Sequence, residues 1–386
     1  VIKRAVILAA VLPLAVALAA CAPQPRGTGD LGLVIARATG QVVVVDNSAR
    51  KPLSTIDGLG DLSHASVVYS RDERYGYVAG RDGGLTKVDL LTGTLVKRVM
   101  QAGNSIGLSI SQDGRVVAVQ NYEPGGVRFF DADSLEPLSE IPTGSKVVGL
   151  VDAPDAKFVF SLFDAGEIWL ADLHDPRHPV VTKFPHVGRQ PYDGLITPDG
   201  RYYIAGLFGE DGLVLLDLWH PEQGTRRILD HYAKNDPALP VYKMPHLRGW
   251  AQAGDEILVP AIGHHEVLVI DTTTWTEKTR IPVAGQPVFV IARPDHRQVW
   301  VNFALPDNGL VQVIDLPSHQ VIDTLHPGRA VLHMEFTPKG DQVWVSARDD
   351  DKVTIYDTAT RQEITEFKVP SPSGVFFTAR AHKIGM

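Results

Sequence analysis

Residues 61 to 93 read DLSHASVVYSRDERYGYVAGRDGGLTKVDLLTG. A short apolar run, Ala65 to Tyr69, meets a polar turn from Ser70 to Arg74. A second run, Tyr75 to Ala79, leads into the loop Gly80-Arg81-Asp82-Gly83-Gly84, and a third, Leu85 to Asp89, closes on Thr92-Gly93. Runs of this length, rich in Val and Tyr and separated by Gly and Asp, are strands joined by hairpins.

The unit recurs. VVVVD ends at Asp46, LTKVD at Asp89, VRFFD at Asp131, IWLAD at Asp172, LVLLD at Asp217, VLVID at Asp271, VQVID at Asp315 and VTIYD at Asp357. Successive aspartates are spaced by 41 to 54 residues, mostly in the low forties. That period, with four short strands per copy, predicts an all-β chain folded as an eight-bladed β-propeller. No long segment has a 3.6-residue apolar period, which leaves helices incidental. The first copy begins in mid-unit, with Leu31 to Ala36 as a second strand and Gln41 to Asp46 as a third. Its missing first strand is expected from Gly374 to Ala379 at the other end, closing the ring and removing two open sheet edges. The longest spacing, before Asp271, marks an insertion over roughly Trp219 to Trp250; long insertions in a repeat tend to be functional.

Outside the repeats, Lys3 and Arg4 precede an apolar run from Ala5 to Ala20, then Cys21. A basic start, an apolar stretch and small residues before a cut site predict a signal peptide over residues 1–20. Leu18-Ala19-Ala20-Cys21 resembles the bacterial lipoprotein box, with the single cysteine of the chain as the lipidated residue. Residues 21–30 then read as a lipidated flexible tether and 31–386 as the propeller, periplasmic and held at the membrane through Cys21 alone. The formal net charge of −8 becomes −10 without Lys3 and Arg4. An acidic chain is not a general nucleic-acid binder, and any anionic ligand requires a local basic pocket.

Blade geometry sorts the candidate ligand residues. Loops entering first strands, and loops from second to third strands, share one face around the axis. His64, His186, His246, His264, His265 and His326 fall there. His174, His178, His220, His296 and His319 fall at turns of the opposite face, and His333 lies in an innermost strand. Arg81, Tyr122, Phe303 and Arg348 occupy second-to-third loops. Arg189 and Tyr192 precede one innermost strand, and His246, Arg248 and Trp250 another. Together they suit a planar, apolar, anionic ligand carrying a metal: guanidinium pairs with carboxylate through two parallel hydrogen bonds, and neutral imidazole binds metal. The adjacent pair His264-His265 is a poor zinc site, because neighbouring residues of a strand point in opposite directions. No nucleophile elbow, phosphate loop or dinucleotide fingerprint is present.

His64-Ala65-Ser66, followed by Tyr75 and by Gly80-Arg81-Asp82-Gly83, resembles the start of the haem d1 domain of cytochrome cd1 nitrite reductase. Tyr192-Asp193-Gly194, Pro245-His246, Glu335-Phe336 and Val343-Trp344-Val345-Ser346 match further along, in order and in register. Two departures stand out: there is no Cys-x-x-Cys-His for a c-type haem, and Tyr192 occupies the position of a distal His. With the lipoprotein box and the ending Phe376 to His382, these departures make the chain most similar to haem d1 biosynthesis proteins of this family. The resemblance implies that haem d1, or a late precursor of the dihydro-haem d1 type, binds at the propeller mouth. It implies His64 as ligand to the haem iron and Arg81, Arg189, Arg248 and Arg348 for the carboxylates. Tyr122, Tyr192, His246 and His264 are implied at the ring, with Tyr192 and His246 poised for proton transfer in a late, possible dehydrogenase step. A homodimer is implied, with nitrite reductase or other haem d1 assembly proteins as partners. Three alternatives stand beside this: a carrier that hands the cofactor over unchanged, a quinone-dependent dehydrogenase propeller suggested by Asp89 to Gly93, and a protein-interaction propeller. The quinone class places a Trp soon after that Gly, where Thr94 to Arg98 has none.

Overall fold

The computed structural model describes residues 27–240, 249–261 and 263–383. The lipid-box Cys21, His246 and Arg248 lie outside the described residues.

Eight antiparallel four-stranded sheets form the ring, seven paired in sequence order from first strand to fourth and the eighth completed by the last strand of the chain. Every one of the eight repeat aspartates is the last residue of a third strand. The reason is local. The carboxylate of Asp131 accepts the N–H of Asp133 (3.1 Å) and of Ser134 (2.8 Å), and that of Asp357 accepts those of Ala359 (3.0 Å) and Thr360 (2.7 Å). An aspartate whose side chain mimics a backbone turn stops one strand and starts the hairpin to the next.

Middle strands are apolar on both sides because each sheet is sandwiched between two neighbours. Leu31–Ala36 and Gly84–Asp89 are buried at every residue. Outer strands such as Thr94–Met100 are largely exposed. A strand buried on both faces reads as a continuous apolar run rather than an alternating one, hence the VVVVD-type signature.

The ring closes as expected. The last strand is Pro372–Phe377, two residues earlier than Gly374 to Ala379, and it pairs with Leu31–Ala36 through Leu33–Phe376 and Val34–Val375. Tyr69 donates its hydroxyl to the carbonyl of Phe376 (2.6 Å), and Thr378 donates to the carbonyl of Thr28 (2.8 Å). The insertion is shorter than its spacing suggests. Thr225–Ile228 is the outer strand of blade five, and the first strand of blade six is Ala251–Ala253. Apart from strands, the described residues hold three short 3-10 turns: Pro221–Gln223, Arg348–Asp350 and Thr378–His382.

Candidate functional site

A cavity of about 1000 Å³ occupies the axis. His64 lines it at the mouth, half-buried ahead of the first strand of blade two, Ser66–Tyr69. The sequence around it explains the placement. Asp61 accepts the N–H of Ser63 (2.8 Å), folding the loop into a tight turn, and Leu62 is buried in the core beneath it. The carbonyl of Asp61 accepts the N–H of Arg81 (2.8 Å), so the loop bearing His64 and the loop bearing Arg81 are tied together. Gly83 holds φ at +84°, and a Cβ there would collide with the carbonyl of Ala102. Only glycine turns the chain there without strain.

Arg81 and Arg348 line the cavity as the sequence expected, and Arg37 joins them. Arg37 directly follows the second strand of blade one, as Arg348 follows that of blade eight. Three consecutive blades thus each deliver a guanidinium to the mouth. Asp82 is not the partner of Arg81; it pairs with Arg98 (2.6 Å). Arg348 does pair with Asp349 (2.6 Å). Among the described residues, neither Arg37 nor Arg81 has an ion-pair partner. Burial, followed by repulsion from Arg348 and Arg81, pushes the pKa of Arg37 below the usual arginine value, with Asp61 acting in the opposite direction. Like charges gathered at a half-buried site cost free energy that an anion would recover.

The same position turns aromatic on the next three blades. Tyr122 is near the end of the second strand of blade three, which runs on to Glu123 instead of breaking into a loop. Phe163 and Phe208 follow the second strands of blades four and five. These rings pack around Tyr192, which is 6% exposed in the first strand of blade five and lines the cavity; Tyr122, expected at the ligand, stands behind Tyr192 with Phe163 and Phe208 and does not line the cavity itself. Tyr192 meets Phe163 edge-on with centroids 5.9 Å apart and Phe208 at 6.3 Å. Burial raises the pKa of Tyr122 and raises that of Tyr192 far above the usual phenol range. The Tyr192 hydroxyl is protonated at neutral pH, as an ordinary phenol is, and burial makes it a still weaker acid. Next to it, a bulge between Tyr192 and Gly194 holds Asp193 at φ 55°. Asp193 is 3% exposed, both carboxyl oxygens lack a hydrogen-bond partner among the described residues, and burial pushes its pKa well above the carboxylate range.

The remaining candidates lie elsewhere. Arg189 is exposed, does not line the cavity, and pairs with Glu210 (3.4 Å). His264 sits outside the cavity against Tyr232, centroids 6.0 Å apart. Phe303, by contrast, ends its strand buried and lines the cavity together with Ala304, the residue that follows it. Trp250, ahead of blade six, does line the cavity. Arg37 is the residue that loop-by-loop reading passed over. Counting back from Asp46, as from Asp357 to Arg348, finds it.

The propeller with a His–Arg mouth defines a haem-domain class: the chain matches the family described as "Cytochrome D1 heme domain" over residues 26–381, and it belongs to that family. Within it, the chain is 58% identical over 379 residues to the protein NirF of Pseudomonas aeruginosa, covering 96% of this chain and 97% of that one. It is 56% identical over 378 residues to the protein NirF of Stutzerimonas stutzeri, again covering 96% and 97%. Among solved structures, "Dihydro-heme d1 dehydrogenase NirN in complex with DHE" aligns with a TM-score of 0.80 at 24% identity, over 94% of this chain and 78% of that one.

Proposed function

We propose that the chain binds haem d1 or its dihydro precursor at the propeller mouth and acts in a late step of haem d1 biosynthesis. The observation that carries this reading is that His64 and the guanidiniums of Arg37, Arg81 and Arg348 line one apolar cavity. Those groups suit a flat, iron-bearing, carboxylate-rich ring: His64 takes the iron, the arginines take carboxylates, and the apolar wall takes the face of the ring. The family membership and the NirF relatives support the same reading. When bound, the ring supplies the iron and the conjugated system on which any redox change would occur. The chain binds and orients it and offers the proton of Tyr192 at one edge.

Haem d1 titration followed by absorbance tests this. Wild type is expected to shift the spectrum and His64→Ala to lose the shift; an unchanged wild-type spectrum overturns the reading. Whether the chain carries the ring or changes it is decided at Tyr192 and, as proposed from the sequence, His246. The name of the NirN neighbour supports a dehydrogenase step. The burial of Tyr192 beside the cavity suits a hydrogen bond from its hydroxyl to the ligand and not a base. Tyr192→Phe that binds normally but stops cofactor production establishes chemistry; production at the wild-type level establishes a carrier. The proposal extends to a periplasmic chain anchored through Cys21, checked by palmitate labelling of wild type and Cys21→Ser. It extends also to a homodimer that hands the ring to nitrite reductase or an assembly protein, checked by sedimentation.

A further inference from the structure

The exposed apolar side chains of the propeller gather on one blade. The outer strand of blade two is Thr94–Met100, entered through the turn that holds Leu91. Of the ten large hydrophobic residues exposed among the described residues, four stand here within ten positions: Leu91, Leu95, Val96 and Met100. Val96 alone is ordinary. It is the extra residue of a bulge, since Leu95 pairs with Val88 and Lys97 with Lys87, and the matching residues Ile322 of blade seven and Ile364 of blade eight are exposed too. Its company is not ordinary. Where Met100 ends this strand, the outer strands of blades three, six and eight end on Pro142, Pro282 and Lys368. Arg98 reaches the carbonyl of Leu59 (3.2 Å) toward blade one, and Lys97 that of Ser134 (2.7 Å) toward blade three. Alternation therefore places Val96 and Met100 on the blade-one side with Arg98. The apolar groups run along the blade from the turn at Leu91, on the face away from the mouth, to Met100, which pairs with Gly84 at the mouth. A contiguous exposed apolar strip of this kind marks an interaction site.

The course of the chain says what meets it. Thr28 donates its hydroxyl to the carbonyl of Asp72 (3.1 Å), in the hairpin between the first and second strands of blade two. The carbonyl of Arg74 in that hairpin accepts the N–H of Leu90 (3.0 Å), the neighbour of Leu91. The segment leading back to Cys21 is thus tied to blade two, beside the strip. Cys21 is six residues before Gly27. Six residues reach about 20 Å when fully extended, roughly the length of one outer strand. Acyl chains on Cys21 would hold lipid within that reach of the blade. Charge does not drive the contact: Arg50 and Lys51 are exposed on this face, and so are Asp72 and Asp133.

We propose that this edge of blade two is a lipid-contact surface, with Leu91, Leu95, Val96 and Met100 resting in the outer part of the bilayer. The proposal rests on the reading of Cys21 as the lipidated residue. It stands the propeller on its edge, so the mouth opens sideways along the membrane and stays clear of it. His64 and Arg81 belong to the same blade, which makes the basic arc the part of the mouth nearest the lipid. Because apolar burial and not headgroup charge holds the contact, it forms on zwitterionic phosphatidylcholine and resists salt.

Single thiols labelled with nitrobenzoxadiazole test this on the full lipidated chain in phosphatidylcholine vesicles. Labels on Val96→Cys and Met100→Cys are expected to brighten by about twofold or more and to be quenched by nitroxide-bearing lipid. Labels on Ile322→Cys, at the same bulge of blade seven, and on Val180→Cys of blade four should do neither. Four labels that respond alike overturn the inference. So does brightening that follows protein concentration and ignores the lipid quencher, which would identify a second copy of the chain as the occupant. Palmitate labelling separates the two readings. A wild-type chain that incorporates none removes the anchor; the same labels in a Cys21→Ser background with excess phosphatidylcholine vesicles then decide the strip alone, a response supporting it and silence overturning it.

Discussion

One structural position, the end of the second strand, is filled in two different ways around the mouth. On blades eight, one and two it carries Arg348, Arg37 and Arg81; on blades three, four and five it carries Tyr122, Phe163 and Phe208. All six residues stand at or just after the end of a second strand, so the repeat register alone does not distinguish the arcs. Environment does. The arginine arc keeps two guanidiniums without protein partners and one paired to a neighbouring carboxylate. The aromatic arc is dry enough that burial raises the pKa of both the Tyr192 phenol and the Asp193 carboxyl. A repeat fold fixes where residues stand, and the choice of residue at each copy divides one ring into a basic half and an aromatic half that packs behind Tyr192. A ligand with carboxylates along one edge and an apolar opposite edge would sit in only one orientation.

The largest expected effect breaks the site altogether. His64→Ala removes the imidazole placed beside the arginine arc, and haem d1 affinity, read from absorbance titrations, is expected to fall by a hundredfold or more, about 3 kcal/mol. Next, the arc itself can be graded. Arg37→Ala is expected to weaken binding by about tenfold, and Arg348→Ala by less, because Arg348 already spends its charge on Asp349 at 2.6 Å. Arg37→Lys should recover only part of the loss, since a single ammonium lacks the two-pronged donor geometry. Equal effects from Arg37→Ala and Phe163→Ala would show that the two arcs do not differ in function.

Much of this was legible before any coordinates. The eight aspartates identify the blades because each forms its own turn, a local interaction written in adjacent residues. Arg81, Arg348 and Tyr122 follow from the same register. Arg37 was harder to see because blade one takes its first strand from the far end of the chain, so its loop does not look like a loop within a complete unit. Arg189 failed to reach the cavity for a reason that no local pattern reveals: Glu210, 21 residues on, holds it outward. The insertion was drawn too wide because Thr225–Ile228, an outer strand with two arginines, carries little of the apolar signal that marks inner strands.

A third prediction sharpens the contrast in polarity between the arcs. Burial raises the folded-state pKa of Asp193. The unfolded chain releases that proton near pH 3.9, while the folded chain retains it to a higher pH. The associated stability is therefore complete below about pH 4 and declines as pH rises toward the folded-state value. Asp193→Asn has no proton to lose, so thermal melts should find it more stable than wild type at pH 7, by about 1–2 kcal/mol, with the gap closing near pH 4. A variant that is less stable than wild type at both pH values would mean that the carboxyl has an ionised role behind the aromatic arc.

The smallest effect belongs to the face where all eight blades agree. For Asp131, Asp271 and Asp357 the leading influence is a backbone N–H, from Ser134, Thr274 and Thr360 respectively, and each carboxyl is held below its usual range. The sign is the reverse of Asp193. A lowered folded-state pKa stabilises the fold above the unfolded value near pH 3.9, and that contribution disappears as pH falls through the lowered folded value. Replacing the three with Asn keeps a side-chain oxygen for each turn but removes the titration. The triple variant should melt slightly below wild type at pH 7, and its melting temperature should fall less steeply between about pH 4 and pH 2. Because these turns face away from the mouth, haem d1 affinity at pH 7 should not change. A fall in affinity would mean that the uniform face and the divided one are coupled through the blades, and the mouth could no longer be treated as a set of residues grafted onto an indifferent scaffold.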